Sequence, residues 1–337
     1  MTNRTVLLFV LSAIGGNANV NFAQEKSIVQ QLQSIAGDRV FQPYATNPIL
    51  RRGEPGSWDE WAVGSMSVVK AGNTFHMYYE GWGSKTIEIG HATSPDGIHW
   101  QKDAANPVIP CASEGWDSGG TWDPFVIFED GLFKMWYGAT PRGAGRGNFQ
   151  WGYAESKDGS HFERRRIISH IPNGEVEDDH IVRDRESGHY YMYFWDRNTE
   201  PAGLFRAESA NETDFDFDKA IPLVIDGLDR SMMHKFTHVV QVDGAWYMLF
   251  GEFIRPRCLN CRTGLATSTD GVHWKVANHD VLVGQDGELL HVADDLFFLY
   301  YGPDGFFDGE GCDIRVAVMR GHLSDLAKGE AVTSQGN

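Results

Sequence analysis

Gly115-Trp116-Asp117-Ser118-Gly119-Gly120-Thr121-Trp122-Asp123-Pro124-Phe125-Val126-Ile127-Phe128-Glu129-Asp130-Gly131-Leu132-Phe133-Lys134-Met135-Trp136-Tyr137-Gly138 reads as a loop carrying carboxylates, a short strand, a tight turn and a strand rich in aromatics. An Asp-Gly pair tolerates the positive backbone angles that a two-residue hairpin turn demands, and the residues flanking it here suit pleated strands. Degenerate copies of this hairpin recur along most of the chain.

The recurrence has a period. Met77, Met135, Met192 and Met248 each sit inside an aromatic strand, at separations of 58, 57 and 56 residues, and Leu299 in Phe297-Phe298-Leu299-Tyr300-Tyr301 follows after 51. A second mark runs at about the same period, separated by 62 residues and then by 112, about two periods: Ser94-Pro95-Asp96-Gly97-Ile98-His99-Trp100, Ser156-Lys157-Asp158-Gly159-Ser160-His161-Phe162 and Ser268-Thr269-Asp270-Gly271-Val272-His273-Trp274. Its Asp-Gly supplies a turn and its last aromatic packs back over that turn, which makes it a structural device at the outer edge of each unit. Each unit reads as four antiparallel strands. Five such units predict an all-β protein, a five-bladed β-propeller with four-stranded antiparallel blades.

At 337 residues, with 42% apolar and 12% aromatic content, there is ample material for one packed domain. The net charge of −17 is spread along the chain, so the electrostatic footprint of a nucleic-acid or anionic-lipid binder is missing. Met1-Thr2-Asn3-Arg4 followed by the apolar run Thr5 to Ile14 has the form of a secretory signal, with small residues at Ala18 and Ala23 for cleavage. That run is short for a membrane span, and no later run is long enough. The expected organisation is a signal peptide over 1–23, an N-terminal segment over 24–39 with a short helix, the propeller over 40–325 and a tail over 326–337. The expected destination is the periplasm or the medium. Export permits disulfides among Cys111, Cys258, Cys261 and Cys312, and four cysteines leave three pairings open.

In a propeller the innermost strand of every blade lines the axis, so residues just before each unit's first turn converge. Those residues include Trp58 and Asp59, then Trp122 and Asp123, then Glu177, Asp178, Asp179 and His180. The fourth unit adds Lys235 and His238, and the fifth Glu288 and His291. Counting back from the glycine turns puts Asp123 and Asp179 at matching places in adjacent blades. Crowded carboxylates drive each other's proton affinities apart, and glycoside hydrolysis needs one carboxyl group to donate a proton and another to activate water. Asp123, Glu177 and Asp179 are therefore the candidate catalytic residues. The candidate substrate contacts are Trp58, Asp59, Trp122, Asp178, His180, Lys235, His238, Glu288 and His291. Asp59 and Asp178 have an alternative reading as turn caps, and the tryptophans as packing between blades.

The chain resembles the superfamily of five-bladed propeller glycosidases that includes families 43, 32, 68, 117 and 130. The resemblance rests on Asn47-Pro48-Ile49-Leu50, on Trp122-Asp123-Pro124 and on the repeated Ser-x-Asp-Gly turns, over residues 45 to 320. It implies an exported glycoside hydrolase that acts on an oligosaccharide or polysaccharide, working from chain ends with inversion of configuration. No cofactor is required, although some relatives hold a calcium ion on the axis. In family 130 the aspartate resembling Asp123 is the proton donor, and the arginine that commonly follows Asp-Pro is Phe125 here, which speaks against phosphate as the attacking group. His234-Lys235-Phe236-Thr237-His238 stands where family 43 would suggest an acidic motif. A phosphorylase using Lys235, His238 and Arg230 as an anion site, and a glycan-binding propeller without catalysis, are the alternatives. If Asp123 and Glu177 perform inversion, their carboxyl groups should lie about 6.5 to 9.5 Å apart.

Overall fold

The computed structural model describes residues 32–328 apart from 145–147, 171–175, 185, 197–202, 230, 255–258, 294 and 304–311. It also leaves out the side chains at 164, 169–170, 176–179, 233, 235–237 and 259–260. The expected signal peptide lies outside the described residues. Of the expected N-terminal helix, residues 32–35 are described and are helical.

Two short strands, β1 (Gly37–Asp38) and β2 (Gln42–Pro43), precede the first blade. Blade one is β3 (Ala62–Ala71), β4 (Thr74–Trp82), β5 (Ile87–Ser94) and β6 (Gln101–Lys102). Blade two is β7 (Gly120–Glu129), β8 (Leu132–Thr140), β9 (Gln150–Ser156) and β10 (Glu163–His170). Blade three is β11 (Val176–Arg183), β12 (Tyr190–Asp196), β13 (Gly203–Ser209) and β14 (Ile221–Pro222). Blade four has β15 (Val224–Asp226) on its outside and otherwise runs β16 (Met233–Val242), β17 (Ala245–Ile254), β18 (Leu259–Ser268) and β19 (His273–Val283). Blade five is β20 (Gln285–Ala293), β21 (Leu296–Gly302) and β22 (Arg315–Arg320), and β1 and β2 pair with β22. The two ends of the chain thus meet in one sheet, which closes the ring. Gly37 and Asp38 of β1 already pair with Met319 and Arg320 of β22. A helix, α1 (Leu323–Ala327), follows and buries Leu323 and Leu326. No helix among the described residues is long and apolar enough to cross a membrane.

The local signals behave as their chemistry requires. Asp130 and Gly131 take φ of 52° and 77° between the paired residues Glu129 and Leu132. Met77, Met135, Met192, Met248 and Leu299 are all fully buried, each at the centre of its blade's second strand. In the outer motif Ser94 Oγ accepts from Gly97 N–H at 2.9 Å, and Asp96 Oδ1 accepts from Ile98 and His99 N–H, both at 2.9 Å. The same bonds form at Ser156 and Asp158 and at Ser268 and Asp270.

These turns also join the blades. Tyr300 Oη donates to Gly97 O at 2.9 Å, Tyr78 Oη to Gly159 O at 3.0 Å, and Tyr193 Oη to Gly271 O at 3.0 Å. Trp136 Nε1 does the same for blade two by donating to Glu212 O at 2.8 Å. All four donors occupy one register position of the second strand. A buried hydroxyl or indole must find an acceptor, and the next blade supplies it.

Candidate active site

Every inner strand breaks its pairing at one level. The register slips between Gly64 and Ser67, Trp122 and Phe125, Glu177 and His180, Lys235 and His238, and Gln285 and Glu288. The first inserted residue takes a left-handed conformation at Ser65, Asp123 and Asp286, with φ of 33°, 44° and 54°. A β-bulge re-aims the side chains around it, and a non-glycine residue held at positive φ carries a backbone cost of about 1 to 3 kcal/mol. The five bulges form a crown in which the backbones of Ser65, Asp123, Asp178, Phe236 and Asp286 hold equivalent positions. This corrects the matching of Asp123 with Asp179. Six residues separate Arg183 from Tyr190 at the β11–β12 turn, against two between Glu129 and Leu132, so counting back from the glycines slips the register by one.

The residue just past each bulge closes the axis. Ser67, Phe125, His180, His238 and Glu288 are all buried. Ser67 Oγ accepts from Val126 N–H at 3.0 Å, the Phe125 ring lies 4.2 Å from that of His180, and His180 lies 4.1 Å from His238. His238 Nδ1 and Glu288 Oε2 are 2.6 Å apart, and Glu288 Oε1 accepts from Val68 N–H at 3.1 Å, which completes the circle. Burial and the neighbouring His238 push the His180 imidazole well below the ordinary histidine range. His180, His238 and Glu288 are thus buried together at the hub, in contact with one another.

Above this floor lies a carboxyl pair that the sequence reading missed. Glu80, on β4, is 4% exposed, and its Oε1 accepts from the backbone N–H of Asp123 at 2.7 Å. Its Oε2 accepts from Trp82 Nε1 at 2.8 Å. Burial first, then the charge of Asp123 and a hydrogen bond between the two carboxyl groups, hold the Glu80 proton well above the usual carboxylate range. Asp123 is the half-buried member. The signal for Glu80 lay in the repeat. Three residues past the central Met or Leu, the other units carry Gly138, Trp195, Gly251 and Gly302, so an acid inside that buried aromatic strand stands out. Asp286 takes the equivalent place in the bulge of blade five.

The remaining expectations divide. Trp122 is half-buried beside Asp123, above Gly138 and edge-on to Phe149 at 4.9 Å. Trp61 is 58% exposed, and its backbone N–H donates to Trp82 O at 2.9 Å. Trp58 lies against Tyr79 with its ring over Gly81 and Gly90, and Asp59 is buried on Lys102 and Ser57. Blade two repeats this with Trp116 over Gly152 and Asp117 on Arg165 at 2.7 Å, so Trp58 and Asp59 share a contact pattern with the next blade. His291 stacks on Phe297 at 4.5 Å near the β20–β21 turn, at the opposite end of its strand from the bulge. The backbones of Glu177, Asp178, Asp179 and Lys235 sit at bulge level, and their side chains lie outside the described residues. Cys111 is a free thiol, and Cys258 lies outside the described residues.

No family model matches the chain. The uncharacterized protein Rv1502 of Mycobacterium tuberculosis (strain ATCC 25618 / H37Rv) is 31% identical over 172 residues, covering 45% of this chain and 54% of its own. Sucrose-6-phosphate hydrolase of Escherichia coli is 26% identical over 170 residues, 46% of this chain and 35% of the relative. Beta-1,2-mannobiose phosphorylase of Thermoanaerobacter sp. (strain X514) is 25% identical over 169 residues, 44% of this chain and 52% of the relative. The chain spans about half, or less, of the length of these curated relatives. Among solved structures, an N-acetylgalactosamine deacetylase from F. plautii superposes with a TM-score of 0.69 at 12% identity, covering 86% of this chain and 97% of that one. A thermostable family-43 glycoside hydrolase does so with a TM-score of 0.62 at 16% identity, covering 79% and 91%. The fold is a five-bladed β-propeller, as the sequence predicted.

Proposed function

We propose that this chain is an exported glycoside hydrolase that cleaves an oligosaccharide or polysaccharide above the hub of the propeller, with inversion of configuration. The observation that carries the reading is the Glu80–Asp123 pair, a carboxyl group and a carboxylate from neighbouring blades joined at the crown. Two such groups in contact share one proton, because both cannot ionise side by side. Asp123 is the member that a sugar can reach. It delivers the shared proton to the leaving oxygen, while buried Glu80 positions it and keeps the proton on the pair. Water is activated from blade three, where Glu177 precedes the bulge and Asp179 lies within it, and Trp122 and Trp61 offer ring faces to the sugar. The closed floor of Ser67, Phe125, His180, His238 and Glu288 supports attack at a chain end, since a blind pocket admits an end more readily than a mid-chain segment. Export rests on the signal-like residues 1–23.

Incubating the purified protein with a panel of plant and algal oligosaccharides, and following product anomers by NMR, tests this. Turnover with inverted anomers, abolished in a folded Asp123→Asn variant, is the expected result. Binding without turnover would replace the reading with a glycan-binding propeller.

A phosphorylase is the second reading, favoured by the mannobiose phosphorylase among the relatives. Phe125 weighs against it, because the side chain after Asp123-Pro124 is buried against Trp136 and His180 and offers no charge to an anion. A sugar 1-phosphate formed only when phosphate is supplied would favour phosphorolysis.

A further inference from the structure

Some propeller relatives hold calcium on the axis, but the described hub side chains here form a different donor set. Calcium takes about six to eight oxygen ligands. The described hub side chains converge instead as two imidazoles and one carboxylate: one ligand atom each from His180, His238 and Glu288, all within 4.8 Å of one another. Nitrogen-rich sets of this kind select zinc and its first-row neighbours, commonly with three protein ligands and a water.

We propose that His180, His238 and Glu288 form a binding site for a transition-metal dication of the zinc class, which ties blades three, four and five together at the hub. The three residues leave their inner strands at one register position, the first after the bulge, so the symmetry of the fold aims them at a common point. They are 5%, 7% and 8% exposed, and a propeller axis filled only for packing would place apolar side chains there. The outer contacts are those that orient ligands. Val68 N–H holds Glu288 Oε1 and leaves Oε2 on the histidine side, His180 makes a backbone hydrogen bond with Val239, and the Phe125 ring backs His180. The site is independent of the hydrolase reading, because none of the three residues belongs to the Glu80–Asp123 pair.

The experiment uses the full chain without a metal-binding tag. Elemental analysis of protein grown with added zinc should find about one equivalent, and chelator dialysis should remove it and lower the melting temperature by several degrees. Zinc or cobalt should restore that temperature and calcium should not. Cobalt should also give the intense visible absorption of a four-coordinate site. His238→Gln and Glu288→Gln should lose both the ion and the thermal response. A melting temperature that zinc and cobalt leave unchanged in chelator-treated wild-type protein would overturn the proposal, whatever the variants do. Undiminished zinc content in both folded variants would overturn it as well.

Discussion

The backbone N–H of Asp123 donates to Glu80 Oε1 at 2.7 Å, so the bulge of blade two is anchored on the second strand of blade one. The contact holds Asp123 at its positive φ and at the same time sets two carboxyl groups against each other.

Activity should depend on both members in different ways. Asp123→Asn should lower kcat by about 100-fold or more, as removal of a general acid does. Glu80→Gln keeps the acceptor for Asp123 N–H but removes the partner that keeps the proton on the pair. The alkaline limb of its pH–rate profile should therefore move to lower pH. A profile of unchanged shape with only a scaled rate would mean that Glu80 is structural.

The same residue predicts a stability effect of definite sign. The Glu80 proton is held more tightly in the folded chain than in the unfolded one. Its favourable contribution is thus complete below the unfolded value, and is lost as pH rises through the folded value. Relative to wild type, Glu80→Gln should gain stability in urea denaturation at pH 8 and show little gain at pH 4. Equal gains at both pH values would refute the linkage.

Histidine burial between blades one and two sets an opposite trend. His76 Nδ1 lies 3.0 Å from His91 Nε2, and His91 Nδ1 lies 3.0 Å from Asp103 Oδ2. Burial, then the neighbouring His91, push His76 down from 6.5 to about 4. A lowered folded value means that the neutral form is favoured on folding, so this contribution is complete above 6.5 and is lost as pH falls towards 4. Urea midpoints should fall across that window in wild type and less steeply in His76→Gln. Parallel slopes would contradict the assignment.

The tryptophan cradles predict steric intolerance. A Cβ on Gly152 would lie 2.2 Å from Trp116 Cη2 and 2.8 Å from Tyr137 Cζ, and one on Gly90 would lie 2.6 Å from Trp58 Cη2. Gly152→Ala and Gly90→Ala should each cost about 1 to 3 kcal/mol, measured by thermal or urea unfolding. A neutral result would show that the two rings stand away from their strands.

The sequence alone determined the architecture. Asp-Gly turns, aromatic strands centred on Met77, Met135, Met192, Met248 and Leu299, and three Ser-x-Asp-Gly motifs are local features whose chemistry acts within a few residues. Their period therefore specified both blade number and strand order. The same reading named Asp123 and Trp122 as candidates. It could not show that Glu80 meets Asp123 or that His180 meets His238, because those contacts join residues far apart in the chain. Only the tertiary structure decided them. A bulge slips the register, and a one-residue slip in a strand turns a side chain to the other face. The length of the β11–β12 turn made Asp178 the counterpart of Asp123, and ring closure gave Glu80 and Asp123 each other as neighbours.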